Sequence, residues 1–168
     1  MYGLINEAMR RHVTDSAGAD AWTRIAERAD TAETFAGLHY YDDAVTYALV
    51  GAASAELDTP AEDLLRGFGR YWSNHVGPES YGDIMGATGT DVVSVLTTPG
   101  AMHARIQTLR PPPRPPSFSV RDNADGVLEV DYRSERAGLA PFVVGLLEGL
   151  GELYSTPATV VQVGATDA

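Results

Sequence analysis

Cysteine is absent from the 168 residues of this chain. That absence excludes disulfides, thiolate nucleophiles, zinc-finger sites and iron–sulfur ligation. Any bound metal must be held by histidine, carboxylate, tyrosine or methionine, and the only histidines are His12, His39, His75 and His103. Positive charge is scarce as well. Lys and Arg number 12 against 23 Asp and Glu, a formal net charge of −11. A field of that sign repels nucleic acid and anionic lipid, so both are excluded as partners. No apolar run reaches the roughly 18 residues that a bilayer span requires. The N-terminal MYGLINEAMRRHV places its basic pair after the apolar residues, unlike a signal peptide, so the expected compartment is the cytoplasm. The motifs GxSxG, GxxxxGK[ST], HExxH and GxGxxG are also missing, which leaves candidate catalytic sets thin.

What is present describes a globular chain, with 44% hydrophobic and 21% charged residues. Apolar residues three and four apart predict helices over 2–15, with Leu4, Ile5, Ala8, Met9 and His12 on one face, and over 18–29 around Trp22 and Ile25. Asp42 or Asp43 is expected to cap a third helix. Thr59 is expected to cap a fourth, with Pro60 at its first position and Leu64, Leu65, Phe68, Tyr71 and Trp72 inward. Gly-Pro-Glu-Ser at 77–80 opens a short helix through Ile84. Residues 90–109 carry helical spacing in two pieces separated by Pro99-Gly100. Five prolines within 110–116 form a stiff connector.

The period then falls to two. Phe118 and Val120, then Leu128, Val130 and Tyr132, alternate around the turn residues 122–126, which predicts an antiparallel hairpin. A strong apolar stripe from Leu139 to Leu153 predicts a helix over 137–154, and 157–164 reads as one more strand beside the hairpin. Helices first, then a small sheet with one long helix, make the fold class α+β.

Two features carry chemistry. His103 lies on an apolar helical face, with Arg105 the nearest charge; a lone histidine there is either a hydrogen-bonded structural residue or a ligand. Tyr132, Ser134 and Arg136 alternate at a strand end, which points all three to one face. Two hydroxyls and a guanidinium in one place suit a carboxylate or phosphate, or they are a solvated strand end. Trp72 and Phe142 read as core aromatics, and the acid pairs as helix caps and solvated faces.

These fragments together resemble the heme nitric oxide/oxygen binding family, H-NOX, which includes the heme domain of soluble guanylate cyclase and stand-alone bacterial sensors. The resemblance rests on MYGLIN at 1–6, YDDAVTYALVGAAS at 41–54, LLRGFGRYW at 64–72, MHARI at 102–106, PPSF at 115–118, YRSERAGLAP at 132–141 and GLLEGLG at 145–151. It covers nearly the whole chain. The YxSxR motif is weak alone and strong in this company.

The resemblance implies one domain over 1–168. A helical distal lobe of about 1–62 would face a proximal lobe of about 63–168, with heme b between them. Without cysteine the heme would be non-covalent. His103 would be the axial ligand. Tyr132, Ser134 and Arg136 would bind the propionates, and Pro116 would press on the macrocycle. Ile5, Met9, Trp72, Phe142 and Leu146 would line the distal side. Relatives that hold O₂ place a tyrosine hydroxyl over the iron, where this chain carries Phe142. The expectation is therefore NO and CO binding at ferrous heme with poor O₂ affinity. The Trp72 indole is a possible donor, and Tyr2, Tyr47 or Tyr71 could reach in. Loss or weakening of the iron–His103 bond would signal to a separate effector, a histidine kinase or diguanylate cyclase, and the chain itself would not be an enzyme. Two alternatives stand beside this: an O₂-binding heme protein, and a heme-free enzyme using Tyr132, Ser134 and Arg136. Pro99-Gly100 and the end of the chain at Ala168 depart from the family pattern.

Overall fold

The first helix shows how sequence becomes position. In the computed structural model, which describes residues 1–89, 91–97, 116–123 and 126–164, α1 (Gly3–Ala17) buries Asn6, Ala8, Met9 and Val13. Gly18, in the left-handed region at φ 89°, turns the chain into α2 (Ala19–Arg28). There Trp22 is buried and its indole N–H donates to the Glu33 carbonyl at 2.8 Å. The irregular segment that follows is tied back to the chain start. The Gly3 N–H donates to the His39 carbonyl at 2.8 Å, Tyr2 forms a bridge with Tyr40, and a Cβ on Gly3 would stand 2.2 Å from the Ala36 oxygen.

Asp42 caps α3 (Asp43–Glu56) by accepting from the Ala44 N–H at 2.8 Å. The next helix, α4 (Ala61–Tyr71), corrects an expectation: its capping position is Pro60, and the Thr59 hydroxyl instead donates to the Leu57 carbonyl at 3.0 Å. The chain then passes without a loop through a π-helical turn, Trp72–Val76, into α5 (Gly77–Thr88). Pro78 has no N–H for the Asn74 carbonyl and its ring crowds that oxygen. The wider turn, closed by Gly77 N–H to the Trp72 carbonyl, accommodates it. Helix α6 (Val92–Thr97) follows. His103, Arg105, Pro99-Gly100 and the connector before Pro116 lie outside the described residues.

The hairpin is as expected. β1 (Ser117–Asn123) pairs antiparallel with β2 (Val127–Arg133), placing Phe118 opposite Tyr132 and Val120 opposite Val130. A turn containing Gly138 at φ 76° leads to α7 (Ala140–Leu153). The third strand expected over 157–164 is not formed, and Val161 and Val163 are exposed. The chain leaves α7 through a sharp reversal, with Ser155 at φ 54° and the Thr156 N–H donating to the Gly151 carbonyl at 2.8 Å. Gly151 lacks the Cβ that would stand 2.9 Å from the Thr156 oxygen, which lets Pro157 and Ala158 turn back close over the end of α7. Among the described residues the sheet has two strands.

The core joins Met9, Val13, Ile25, Leu49, Phe68 and Val76. Within it the Thr46 hydroxyl donates to Asn6 Oδ1 at 2.7 Å. Helices α4 and α7 approach to backbone distance. A Cβ on Gly69 would lie 2.2 Å from the Phe142 oxygen, and one on Gly145 would lie 1.9 Å from the Arg66 oxygen. Arg66–Glu148 and Arg70–Glu152 ion pairs flank this seam. The fold is α+β, as the sequence predicts. Among the described residues no helix is long and apolar enough to cross a membrane.

Candidate functional site

A cavity of about 370 Å³ lies between α1, α4, the π-helical turn, α5, α6, the hairpin and α7. That volume suits a cofactor-sized ligand. Ile5 and Met9 of α1, Trp72 of the π-helical turn, Pro116, and Phe142 and Leu146 of α7 line it together with Tyr132, Ser134 and Arg136. These are nine of the ten expected site residues; the tenth, His103, lies outside the described ones. Tyr2 also lines the cavity. Tyr47 and Tyr71 do not, because their hydroxyls are turned elsewhere: Tyr47 donates to the Ala137 carbonyl at 2.9 Å and Tyr71 to Asp15 at 2.6 Å.

The flank built by α4 and α7 is aromatic. The Phe142 ring lies 5.2 Å from Phe68 and meets Trp72 edge-on at 6.4 Å. Behind Phe68, His12 stacks at 6.0 Å and also touches Tyr71 at 4.8 Å. Burial lowers the His12 pKa, and the nearby Asp15 only partly offsets it. Tyr81, also on the cavity, has its hydroxyl pKa raised by burial.

The polar end is assembled differently from the expected strand alternation. β2 ends at Arg133, so only Tyr132 is a strand residue. Ser134 and Arg136 reach the cavity from the turn before α7, where the Ser134 hydroxyl accepts the Arg136 backbone N–H at 3.1 Å. The Arg136 guanidinium is gripped by residues from the N-terminal part of the chain. Its Nε donates to Asp43 Oδ2 at 2.7 Å and its Nη2 to the Tyr40 hydroxyl at 3.1 Å. Asp43 Oδ1 accepts from the Met1 ammonium at 2.5 Å. Burial pushes the Asp43 carboxyl up, but these two cationic donors outweigh it and hold it below the ordinary carboxylate value.

Sequence reading missed Asp43 and Tyr40. A signal for Asp43 existed: of two adjacent acids only one caps α3, which leaves the other for a tertiary partner. For Tyr40 no local signal exists, since its partner is 96 residues away. Among the described residues no group of three or more His, Asp or Glu could hold a metal ion.

A sequence profile of the family described as Haem-NO-binding matches residues 2–162. The chain is 28% identical over 163 residues to soluble guanylate cyclase gcy-35 of Caenorhabditis elegans, covering 93% of this chain and 23% of that protein. It is 22% identical over 161 residues to soluble guanylate cyclase 89Db of Drosophila melanogaster, covering 95% of this chain and 24% of that protein. The chain thus spans about a quarter of the length of these curated relatives. Among solved structures, the unliganded Fe(II) H-NOX protein from K. algicida superposes with a TM-score of 0.83 at 22% identity, covering 96% of this chain and 87% of that one. An H-NOX protein from S. oneidensis in the Fe(II)NO ligation state gives 0.81 at 18% identity, covering 92% and 86%. An oxygen-binding H-NOX domain related to soluble guanylate cyclases, in its oxygen complex, gives 0.79 at 18% identity, covering 92% and 81%. At these identities the structural likeness is one of fold.

Proposed function

Because the chain belongs to the Haem-NO-binding family, matched over residues 2–162, we propose that its cavity holds a non-covalent heme b and serves as a sensor of NO and CO with poor O₂ affinity. The observation that carries this reading is the meeting of an apolar, partly aromatic cavity with Tyr132, Ser134 and Arg136 at one end. A flat apolar ring system with two carboxylates at one edge needs that division. Hydroxyl and guanidinium donors make charge-assisted hydrogen bonds to carboxylates. The residues present therefore fit the group.

When bound, heme supplies a ferrous iron that takes up a diatomic gas. His103 would hold the iron, and Pro116 would press on the ring. Ile5, Met9, Trp72, Phe142 and Leu146 exclude water from the gas-binding side. Phe142 carries no hydroxyl to donate to bound O₂, which supports selectivity for NO and CO. Weakened attachment of His103 would be the signal, passed to a separate histidine kinase or diguanylate cyclase. No catalytic role is proposed for the chain, and its proposed setting is the cytoplasm.

The visible spectrum of the reduced, heme-loaded protein tests this. A five-coordinate ferrous Soret band that shifts to shorter wavelength with NO, with no lasting oxy spectrum in air, is expected. A stable oxy form would overturn the selectivity, and a protein that stays colourless after heme addition would overturn the whole reading. His103→Gly should hold heme only with added imidazole; an unchanged spectrum would remove His103 as ligand.

A further inference from the structure

The expected carboxylate-binding set comes from one short stretch, residues 132–136, on one side of the cavity. Tyr40, which comes from the N-terminal part of the chain, meets Arg136 there. It lines the same cavity. Its backbone bridges to Tyr2 and its ring meets the Tyr2 ring edge-on at 5.6 Å, which fixes its place. A phenol oxygen can both accept and donate. Here it accepts from Arg136 Nη2 at 3.1 Å and gives its own hydrogen only to a long contact. The acceptor it meets, Asp43 Oδ1, is 3.5 Å away, at the limit of a hydrogen bond. That oxygen already receives the stronger bond from the Met1 ammonium at 2.5 Å.

We propose that Tyr40 is a fourth carboxylate-binding residue of the pocket, whose oxygen holds the Arg136 guanidinium in position while its O–H donates to a heme carboxylate. This rests on the heme reading above. Carboxylate recognition then draws on two parts of the chain, with Tyr132, Ser134 and Arg136 from one and Tyr40 from the other. A carboxylate held this way accepts from all of these donors, each bond strengthened by its charge.

The test compares wild type, Tyr40→Phe and Arg136→Ala, each as the full chain loaded with iron protoporphyrin IX or with its dimethyl ester, which lacks the carboxylates. The readout is the rate of porphyrin transfer to excess apomyoglobin. Tyr40→Phe should lose the diacid about tenfold faster than wild type, the effect of one hydrogen bond to a charged group. It should lose the diester within about twofold of wild type, because an ester offers only a neutral acceptor. Arg136→Ala should also accelerate loss of the diacid selectively. If Arg136→Ala does so and Tyr40→Phe does not, Tyr40 alone is removed from the site. Equal acceleration of diacid and diester by Tyr40→Phe would mark general loosening and overturn the proposal. If wild type holds diester as well as diacid and Arg136→Ala changes neither, the carboxylate reading fails and Tyr40 falls with it.

Discussion

Phe142 packs between Phe68 and Trp72 on the cavity wall, and replacing it by tyrosine would add a single oxygen to an otherwise hydrocarbon surface. Phe142→Tyr should raise O₂ affinity about tenfold if that oxygen donates to bound gas. Oxygen titration of the reduced heme-loaded variant measures it, and an unchanged affinity would show that the wall does not control selectivity. Behind this wall His12 makes a second testable point. Its folded pKa lies below the ordinary 6.5 because burial disfavours the charged ring. The unfolded chain therefore binds the proton more readily, and the stability linked to a neutral His12 is present above the unfolded value and lost as pH falls through it. The melting temperature should drop between about pH 7 and about pH 5, and His12→Gln should flatten that slope. An identical slope in the variant would assign the loss to other groups. Asp43 acts in a separate window: its pKa is depressed, so its contribution is lost only in acid below the ordinary 3.8. Residues such as Phe142, Met9 and Ile5 were legible in the sequence because helical spacing alone puts them on an inward face. Tyr40 and Asp43 were not, since their roles depend on a contact that crosses most of the chain.

Helices α4 and α7 form a close seam. Gly69, Gly145 and Gly149 allow backbone contact, and Arg66 and Arg70 reach Glu148 and Glu152 alongside it. Both pairs are four residues apart, one helical turn, so the two ion pairs stack on one edge of the seam. A methyl on Gly145 would meet the Arg66 carbonyl, which is backbone and cannot swing away. Gly145→Ala should therefore cost about 3 kcal/mol and lower the melting temperature by about 6–12 °C. Gly51 of α3 has open space around its missing Cβ, so Gly51→Ala should gain about 0.5–1 kcal/mol from helix propensity. Opposite signs for one chemical change would locate the effect in the seam; two similar shifts would deny that the glycines matter for approach. The elements with strong periodicity, α1, α3, the hairpin and α7, could be read from the sequence. The π-helical turn could not, because its cause is a clash between Pro78 and a carbonyl one turn earlier. The segment 157–164 alternates like a strand, but the reversal after α7 turns Pro157 and Ala158 back onto Gly151, and Val161 and Val163 stay exposed.

At the scale of the molecule, the expected division near residue 62 falls at the start of α4, a helix that packs on α3 as well as on α7. Phe68 makes the two sides hard to separate. It is 1% exposed, belongs to the same core as Met9, Ile25 and Leu49, and touches Phe142 of α7 on the cavity wall. Two lobes that share a core residue of this size should unfold together. The two tryptophans can report this, because Trp22 is buried in α2 while Trp72 lines the cavity. In Trp72→Phe, fluorescence follows the N-terminal helices; in Trp22→Phe, it follows the cavity wall. Trp22→Phe should lower the midpoint, since it removes a buried indole and its bond to the Glu33 carbonyl. Within each variant, however, fluorescence and circular dichroism should give midpoints agreeing within about 1 °C. A fluorescence transition several degrees from the dichroism transition in either variant would mean that one lobe melts first. The cavity would then lie between two separately stable bodies, and Phe68 would be a hinge contact instead of a shared core.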